Sequence, residues 1–169
     1  ISSGLVGSEM CIRDRSTTGN TTWNQTDPSS SVFTLGSGVT INKLNDNYIA
    51  YCFAPVAGYS AFGSYEGNGN ADGPFVYTGF IPRYIIWKCS SGTGQWFIHD
   101  TARSPYNYSD LELAADASAA EYSASGVGAG ERLDFLSNGF KVRSANAAIN
   151  SIGATFIYAA FAENPFRYS

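Results

Sequence analysis

Apolar residues along this chain come in short runs that are separated by turns rich in glycine, asparagine and proline. Runs of this kind, with many aromatic and β-branched residues, predict β-strands rather than helices. The clearest case is the pair Tyr84–Cys89 and Gln95–Asp100, which the turn Ser90–Gly94 joins. This pattern predicts a β-hairpin.

A second hairpin is predicted near the C-terminal end, from Leu133–Leu136 and Phe140–Arg143 around Ser137-Asn138-Gly139. An Asn-Gly pair is typical of tight hairpin turns, so we expect these two residues to supply positive φ angles. Further strands are predicted at Val32–Leu35, Val39–Ile41, Tyr59–Tyr65 and Phe75–Thr78.

Residues 109–122 carry conflicting signals. Ser109 followed by Glu112 fits a helix capping box, and the alanines that come next favour helix. Leu111 and Leu113, however, alternate with polar residues as they would in a strand. We expect a short strand followed by irregular chain.

One apolar segment occurs twice. Tyr48–Ala54 and the residues before it align without a gap on Phe156–Ala162 and the residues before that segment. Both copies are apolar on their two alternating faces, which predicts a strand that is buried on both sides in the middle of a sheet. A recurrence at this distance predicts tandem copies of one β module.

Many short strands and little helix predict an all-β fold, an antiparallel β-sandwich of the jelly-roll or concanavalin-like kind. Hydrophobic residues make up 44% of the 169 residues and charged residues 14%, which allows a sizeable core. The net charge of −4 is unfavourable for a nucleic-acid partner. No apolar run approaches the roughly 20 residues that cross a bilayer, so membrane insertion is not expected.

The N-terminus carries a separate signal, because Leu5–Arg15 resembles a translated sequencing-library adapter. We therefore expect residues 1–15 to be an adapter-derived, disordered artefact in a fragment of a longer protein. Residues 16–58 are then predicted to be the C-terminal part of a preceding β repeat. Residues 59–169 are predicted to be a nearly complete β-sandwich repeat.

Deletion of residues 1–15 is expected to leave the melting temperature unchanged within about 2 °C, because adapter-derived sequence was not selected to fit the core. Differential scanning calorimetry of the full and shortened chains measures this. A larger drop would show that the segment contributes to folding.

The cysteines predict buried free thiols rather than a disulfide framework. Cys11 belongs to the adapter-like segment, which leaves Cys52 and Cys89 inside apolar runs. Buried free thiols are the expected state, and a Cys52–Cys89 disulfide is the alternative. Two cysteines are too few for a zinc site.

Candidate chemistry is sparse. His99 is the only histidine, and we expect a hydrogen-bonded structural role because no nucleophile is marked beside it. Asn68, Asn70 and Asp72 fit the first half of a calcium loop, but Gly79 stands where its bidentate glutamate is required, so an ordinary surface turn is the simpler interpretation. No cofactor is expected. Carboxylates that could supply a glycosidase pair are Asp110, Glu112, Asp116, Glu121 and Asp134.

Several motifs together resemble a known family. They are Tyr48–Ala54, Phe62–Gly69, Asp72–Pro74, Gly79–Pro82, Trp96–Arg103 and Phe156–Phe166. This set, within residues 23–166, resembles repeat modules of tail-associated structural proteins of marine bacteriophages. The resemblance implies a fibre or appendage component in the virion tail, outside the cell, with neighbouring repeats and other tail proteins as partners. It implies no catalytic residues, and Leu113–Asp116 departs from the family pattern.

Ligand binding is predicted at the aromatic and polar residues in and after the strand Gln95–Asp100, namely Trp96, Asp100, Arg103 and Tyr106. Trp and Tyr pair an apolar ring with a polar tip, which suits sugar stacking. Asp100 and Arg103 either clamp a ligand or form an ion pair that pins the strand to its loop. We expect a non-enzymatic structural or adhesive module that contacts bacterial surface polysaccharide. The alternatives are a carbohydrate-binding module of a secreted bacterial protein and a glycan-degrading enzyme.

Overall fold

The structure is a computed structural model that describes residues 29–123 and 133–163. The chain divides into two units, residues 1–54 and residues 55–169. The described part of the first unit, residues 29–54, contains turns, bends and irregular chain but no strand. The predicted artefact, residues 1–15, lies outside the described residues. The assignment of residues 16–58 to a preceding repeat stays a prediction.

The second unit contains nine strands and one short helix among its described residues. Their bounds are β1 Ser60–Glu66, β2 Phe75–Tyr77, β3 Pro82–Cys89, β4 Phe97–Asp100, β5 Leu111–Ala114, β6 Tyr122–Ser123, β7 Leu133–Leu136, β8 Gly139–Val142, α1 Ala147–Asn150 and β9 Thr155–Ala162. The predicted strand interpretation of residues 109–122 is confirmed by β5.

The strands form two antiparallel sheets. The larger has the order β1-β9-β3-β4-β5-β6, and the smaller has the order β2-β8-β7. Side chains from both sheets share one core, and Phe140 of β8 packs edge-on against Tyr65 of β1 and Tyr158 of β9. The predicted all-β, antiparallel β-sandwich with little helix is confirmed.

Strand β9 occupies a central position, as predicted for Phe156–Ala162. It pairs along its whole length with β1 on one edge and with β3 on the other. Phe156 and Ala160 are fully buried, and Phe156 stacks on Tyr65 with 5.1 Å between ring centroids. Strand β9 is therefore the element on which the larger sheet is built.

Both predicted hairpins are confirmed, as β3–β4 and β7–β8. The predicted reason for Asn138-Gly139 is wrong, because neither residue has a positive φ. Gly139 is required by a close approach instead. A Cβ at this position would lie 2.1 Å from the carbonyl oxygen of Val76 on the neighbouring strand β2.

The strands predicted in the first unit are wrong. Residues 32–35 have no regular secondary structure, and residues 39–41 form a turn. Residues 48–54 are also outside any sheet, with Ile49 81% exposed and Tyr51 80% exposed. An apolar segment becomes a buried strand only where neighbouring strands bond both its edges and other side chains cover its faces. Strand β9 has both neighbours, and residues 48–54 belong to neither sheet.

The thiol predictions divide in the same way. Cys89 on β3 is buried and free, as predicted. Cys52 is free but exposed, so its predicted burial is wrong. The reason is that residues 48–54 belong to neither sheet.

Candidate functional site

A pocket of about 410 Å³ lies at one end of the larger sheet, where β3 begins and where β4 and β9 end. These three chain ends meet because β3 runs antiparallel to both of the other strands. The residues that line the pocket are Ile81, Arg83, Thr101, Ser104, Pro105, Tyr106, Asn107, Phe135 and Glu163. Its volume falls within the range of about 300–1,000 Å³ that is usual for small-molecule sites.

The loop that follows β4 is fixed at its start by charged side chains. Asp100 Oδ1 accepts hydrogen bonds from the backbone amides of Ala102 and Arg103, at 3.0 and 2.9 Å. Asp100 Oδ2 lies 2.5 Å from Nε of Arg103. The guanidinium also donates to Glu121, at 2.8 Å, and to the carbonyl of Ile98, at 3.1 Å. The guanidinium therefore ties the loop to β4 and to the chain before β6.

These contacts shift the pKa values of both partners. Desolvation raises the pKa of Asp100, but the hydrogen bonds and positive charge of Arg103 outweigh it, and the pKa lies below its usual value. Desolvation lowers the pKa of Arg103, but the hydrogen bonds that Arg103 donates to Glu121 and Asp100, together with their negative charges, outweigh it and raise that pKa. The ion pair is therefore intact at neutral pH.

The far end of the same loop is fixed by an amide. Asn107 donates from Nδ2 to the carbonyl of Phe135 and accepts through Oδ1 from the amide of Phe135, both at 2.9 Å. Ser104 is buried, and its hydroxyl accepts a hydrogen bond from the amide of Leu111 at 3.3 Å. Tyr106 lies between these two anchors and is 83% exposed. Its ring is therefore presented to solvent by a segment that is bonded on both sides.

The pocket lining also contains an ion pair and an apolar side chain. Arg83 donates to Glu163 through a hydrogen-bonded salt bridge, and both side chains are partly exposed. Ile81 is also about half exposed. A pocket lined by an exposed aromatic ring and a charged pair can stack on a ligand and also hydrogen-bond to its hydroxyl groups.

The four predicted ligand-binding residues lie in different surroundings. Tyr106 lines the pocket. Asp100 and Arg103 hold the loop in place, in the manner of the ion-pair interpretation. Trp96 precedes β4 at its opposite end, about 13 Å from Asp100 at the usual rise of an extended strand. Its ring lies under the ammonium group of Lys88, with 5.7 Å between the nitrogen and the ring centroid.

A buried polar cluster lies between the sheets, apart from the pocket. His99 Nδ1 lies 3.2 Å from Ser109 Oγ, and His99 Nε2 lies 3.2 Å from Glu112 Oε2. All three residues have no exposed surface, and the imidazole stacks beside Trp87. A serine, a histidine and a carboxylate in contact can activate a nucleophile, but here the hydroxyl of Ser109 is buried. His99 is hydrogen-bonded, as predicted.

Sequence reasoning did not identify Ser109 and Glu112 as the partners of His99. A signal was present, since the alternation that places Leu111 and Leu113 on one face of β5 places Glu112 on the other. A carboxylate on an inward face must be paired, and His99 on the neighbouring strand is the matching group. Backbone hydrogen bonds also pair Ser109 with Leu133 of β7, so the cluster links the two sheets.

A family model described as a domain of unknown function (DUF7483) matches residues 9–165. The chain belongs to this family. The matched range begins inside the adapter-like segment Leu5–Arg15. No curated protein and no solved structure matches the chain significantly.

Three further candidates for a glycosidase pair in this DUF7483 chain, Asp110, Asp116 and Asp134, have structural partners. Asp110 accepts from the hydroxyl of Ser123, and Asp116 accepts from the amide of Trp96. Asp134 pairs with Arg143 at 3.2 Å. Glu163 is the one carboxylate among the described residues that line the pocket.

The turn of the DUF7483 domain that carries the calcium-loop candidates Asn68, Asn70 and Asp72 is held by its own side chains. Asn68 Oδ1 accepts from the amide of Asn70, and Asn70 Oδ1 accepts from the amide of Asp72, both at 2.9 Å. Asp72 Oδ1 lies 2.7 Å from Lys141 Nζ. The two asparagine oxygens bond to the backbone in the way that surface turns use Asn and Asp. In the described ranges, no three His, Cys, Asp or Glu residues are grouped as metal ligands.

No helix among the described residues is long and apolar enough to cross a membrane.

Proposed function

We propose that this chain is a non-enzymatic structural and adhesive module of a bacteriophage tail appendage, and that it contacts host-surface glycans at the pocket beside Tyr106. In this role it works outside the cell as part of the virion, next to other tail proteins or neighbouring modules. The proposed glycan binding rests on one observation. The ring of Tyr106 is 83% exposed beside the pocket, on a loop that is hydrogen-bonded at both ends.

The anchoring supports recognition of a ligand by a preorganised surface. A loop that is already ordered loses little conformational entropy when it binds, which favours affinity at a small site. Functional side chains are also concentrated on loops that a rigid sheet holds in place. The pairing of Asp100 with Arg103 thus assists binding by positioning Tyr106. The residues that line the pocket contact the ligand directly.

The pocket chemistry supports a sugar ligand and binding without turnover. A tyrosine ring stacks on the apolar face of a sugar, while Arg83 and Glu163 offer hydrogen bonds to hydroxyl groups. Glycoside hydrolysis usually needs two carboxyl groups that flank the bond to be cleaved, separated by about 5–10 Å. The single carboxylate Glu163 in the described lining favours binding.

Tyr106→Ala is expected to abolish glycan binding by a multimeric form of the protein, because it removes the stacking ring. A single module is expected to bind at about 1 mM, so avidity gains of about 10²–10⁴ are needed for detection. The measurement is a glycan array that includes bacterial surface polysaccharides, probed with biotinylated protein on streptavidin.

Two matched controls separate the pocket from general surface effects. Tyr77→Ala removes another exposed tyrosine, on β2 and outside the pocket. Trp96→Ala removes the predicted binding residue at the far end of β4. Both variants are expected to bind as the unaltered protein does. Binding that survives Tyr106→Ala, or no binding by the multimer, would refute the pocket.

The same assay distinguishes the alternatives. Release of reducing sugar ends would identify a glycan-degrading enzyme. Binding restricted to soluble or storage polysaccharides, with none to bacterial surface glycans, would favour a carbohydrate-binding module of a secreted protein.

A further inference from the structure

Two stretches of the chain share one local fold. Residues 36–46 of the first unit and residues 144–154 of the second make the same hydrogen bonds at the same offset of 108 positions. These run from Ile41 and Asn42 to Gly38, from Ile149 and Asn150 to Asn146, from Asp46 to Lys43, and from Ala154 to Ser151. Each stretch also has a positive φ at the equivalent place, 67° at Asn45 and 70° at Gly153.

A side-chain bond repeats as well. Asn42 donates from Nδ2 to the carbonyl of Gly36 at 3.0 Å, and Asn150 donates from Nδ2 to the carbonyl of Ser144 at 2.8 Å. Both bonds span six residues, a spacing that helical bonding does not produce by itself. Residues 36–46 are therefore a structural equivalent of the turn that delivers the chain into β9.

The segments that follow the two turns differ in their surroundings. Residues 155–162 form β9, where Ile157 and Ala160 are buried. Residues 47–54 have no regular secondary structure and lie outside either sheet, and the equivalent Ile49 and Cys52 are exposed. One local fold therefore leads into a central strand in one case and into an exposed apolar segment in the other.

The buried turn also shows what its equivalent lacks. Asn150 donates to Asn68 Oδ1 and to the carbonyl of Asn70, and it accepts from the amide of Asn68. These bonds clamp the turn between β1 and β2 onto α1. Among the described residues, the side chain of Asn42 makes only the internal bond to Gly36. The equivalent surface of residues 36–46 is therefore suited to clamp a second turn of the same kind.

We propose that residues 36–54 complete a second β-sandwich module of this fold, with residues 47–54 inserted as its central strand. The partner presents strands equivalent to β1 and β3 with the position between them open, and it presents a turn equivalent to residues 67–73 for Asn42. Strand addition of this kind satisfies backbone groups on both edges of the inserted segment and buries alternate side chains. This interaction does not depend on the glycan pocket.

The geometry selects a separate module as the partner. Within residues 55–169 the position between β1 and β3 is already filled by β9. A second copy of this chain would have to expel its own β9 to accept residues 47–54. A module that lacks its own last strand can accept residues 47–54 without expelling any strand.

Cys52 provides the test, because it is exposed whereas the equivalent Ala160 is fully buried. A copy of residues 55–143, which lacks α1 and β9, is fused ahead of Ile1 of the full chain carrying Cys11→Ser. Cys52 in this fusion is expected to react with a maleimide at least about tenfold more slowly than in the unfused chain, since labelling then requires local opening of a strand. Mass spectrometry locates the labelled thiol.

The matched control is a fusion with a copy of residues 55–162, whose central position is filled by its own last strand. In that protein Cys52 is expected to react as it does in the unfused chain. Residues 47–54 differ from β9 in the order of Ala50 and Tyr51, which correspond to Tyr158 and Ala159. A second variant, Ala50→Tyr with Tyr51→Ala, removes this difference. Protection of Cys52 in either form of the shorter fusion, with full reactivity in the control, supports the proposal.

Three results would overturn it. The first is equal reactivity of Cys52 in the two fusions, with and without the two substitutions. The second is labelling of the copied Cys89 in the shorter fusion, which would show that the copy stays unfolded. The third is a concentration-dependent dimer of the unfused chain with Cys52 protected, which would identify a second copy as the partner.

Discussion

His99→Leu is expected to lower the free energy of unfolding by about 3–5 kcal/mol, the usual cost of removing one partner from a buried ionisable pair. The imidazole supplies the hydrogen bond to Glu112 Oε2, and Glu112 Oε1 is buried without a partner among the described residues. The substitution therefore leaves a carboxyl group in the core with no described hydrogen bond. It also removes the bond to Ser109, whose backbone links the two sheets.

Urea denaturation of the full chain measures this loss, and a double variant isolates its cause. His99→Phe combined with Glu112→Leu replaces the pair by apolar side chains, which is often neutral or stabilising in proteins. The double variant is therefore expected to be more stable than His99→Leu alone. If both proteins lose the same free energy, the cost arises from packing and the paired-carboxyl explanation is wrong.

Phe156→Ala is expected to cost about 3–5 kcal/mol of stability, because it opens a cavity in the middle of the core. Phe156 is fully buried on β9, stacked on Tyr65, with its ring edge toward Trp87 at a centroid distance of 6.3 Å. The matched control is Tyr48→Ala, at the equivalent place in the first copy of the repeated segment. Tyr48 is exposed, and its substitution is expected to cost less than about 1 kcal/mol.

Chemical denaturation of both variants under one set of conditions makes the comparison. Similar losses for the two substitutions would mean that residues 48–54 are packed as β9 is packed, contrary to their exposure in this chain. In the shorter fusion described above, Tyr48→Ala is expected to become costly, because the segment then lies inside a sandwich.

The candidate site was partly predictable. Tyr106 could be proposed as an exposed candidate because aromatic residues in polar loops carried by a sheet are typical of recognition surfaces. The pairing of Asp100 with Arg103 could be anticipated from their spacing and opposite charges. Arg83, Glu163 and Phe135 could not be assigned to the pocket, because strand pairing brings them together from distant parts of the chain.

The sequence by itself determined the strands of the second unit other than β6, the two hairpins and the all-β class. These features depend on local alternation of side chains and on turn chemistry, which are written in consecutive residues.

Only the tertiary structure decided which apolar segment is buried. Tyr48–Ala54 and Phe156–Ala162 have similar patterns, yet only the second lies between two strands that bond its edges. Burial depends on neighbouring strands from distant parts of the chain, so one of two similar segments can be buried while the other is exposed. The same reason placed Glu112 beside His99 and made Gly139 a site of close approach to Val76. Each of these contacts joins two strands, and the pairing of strands is decided by the packing of the whole sandwich.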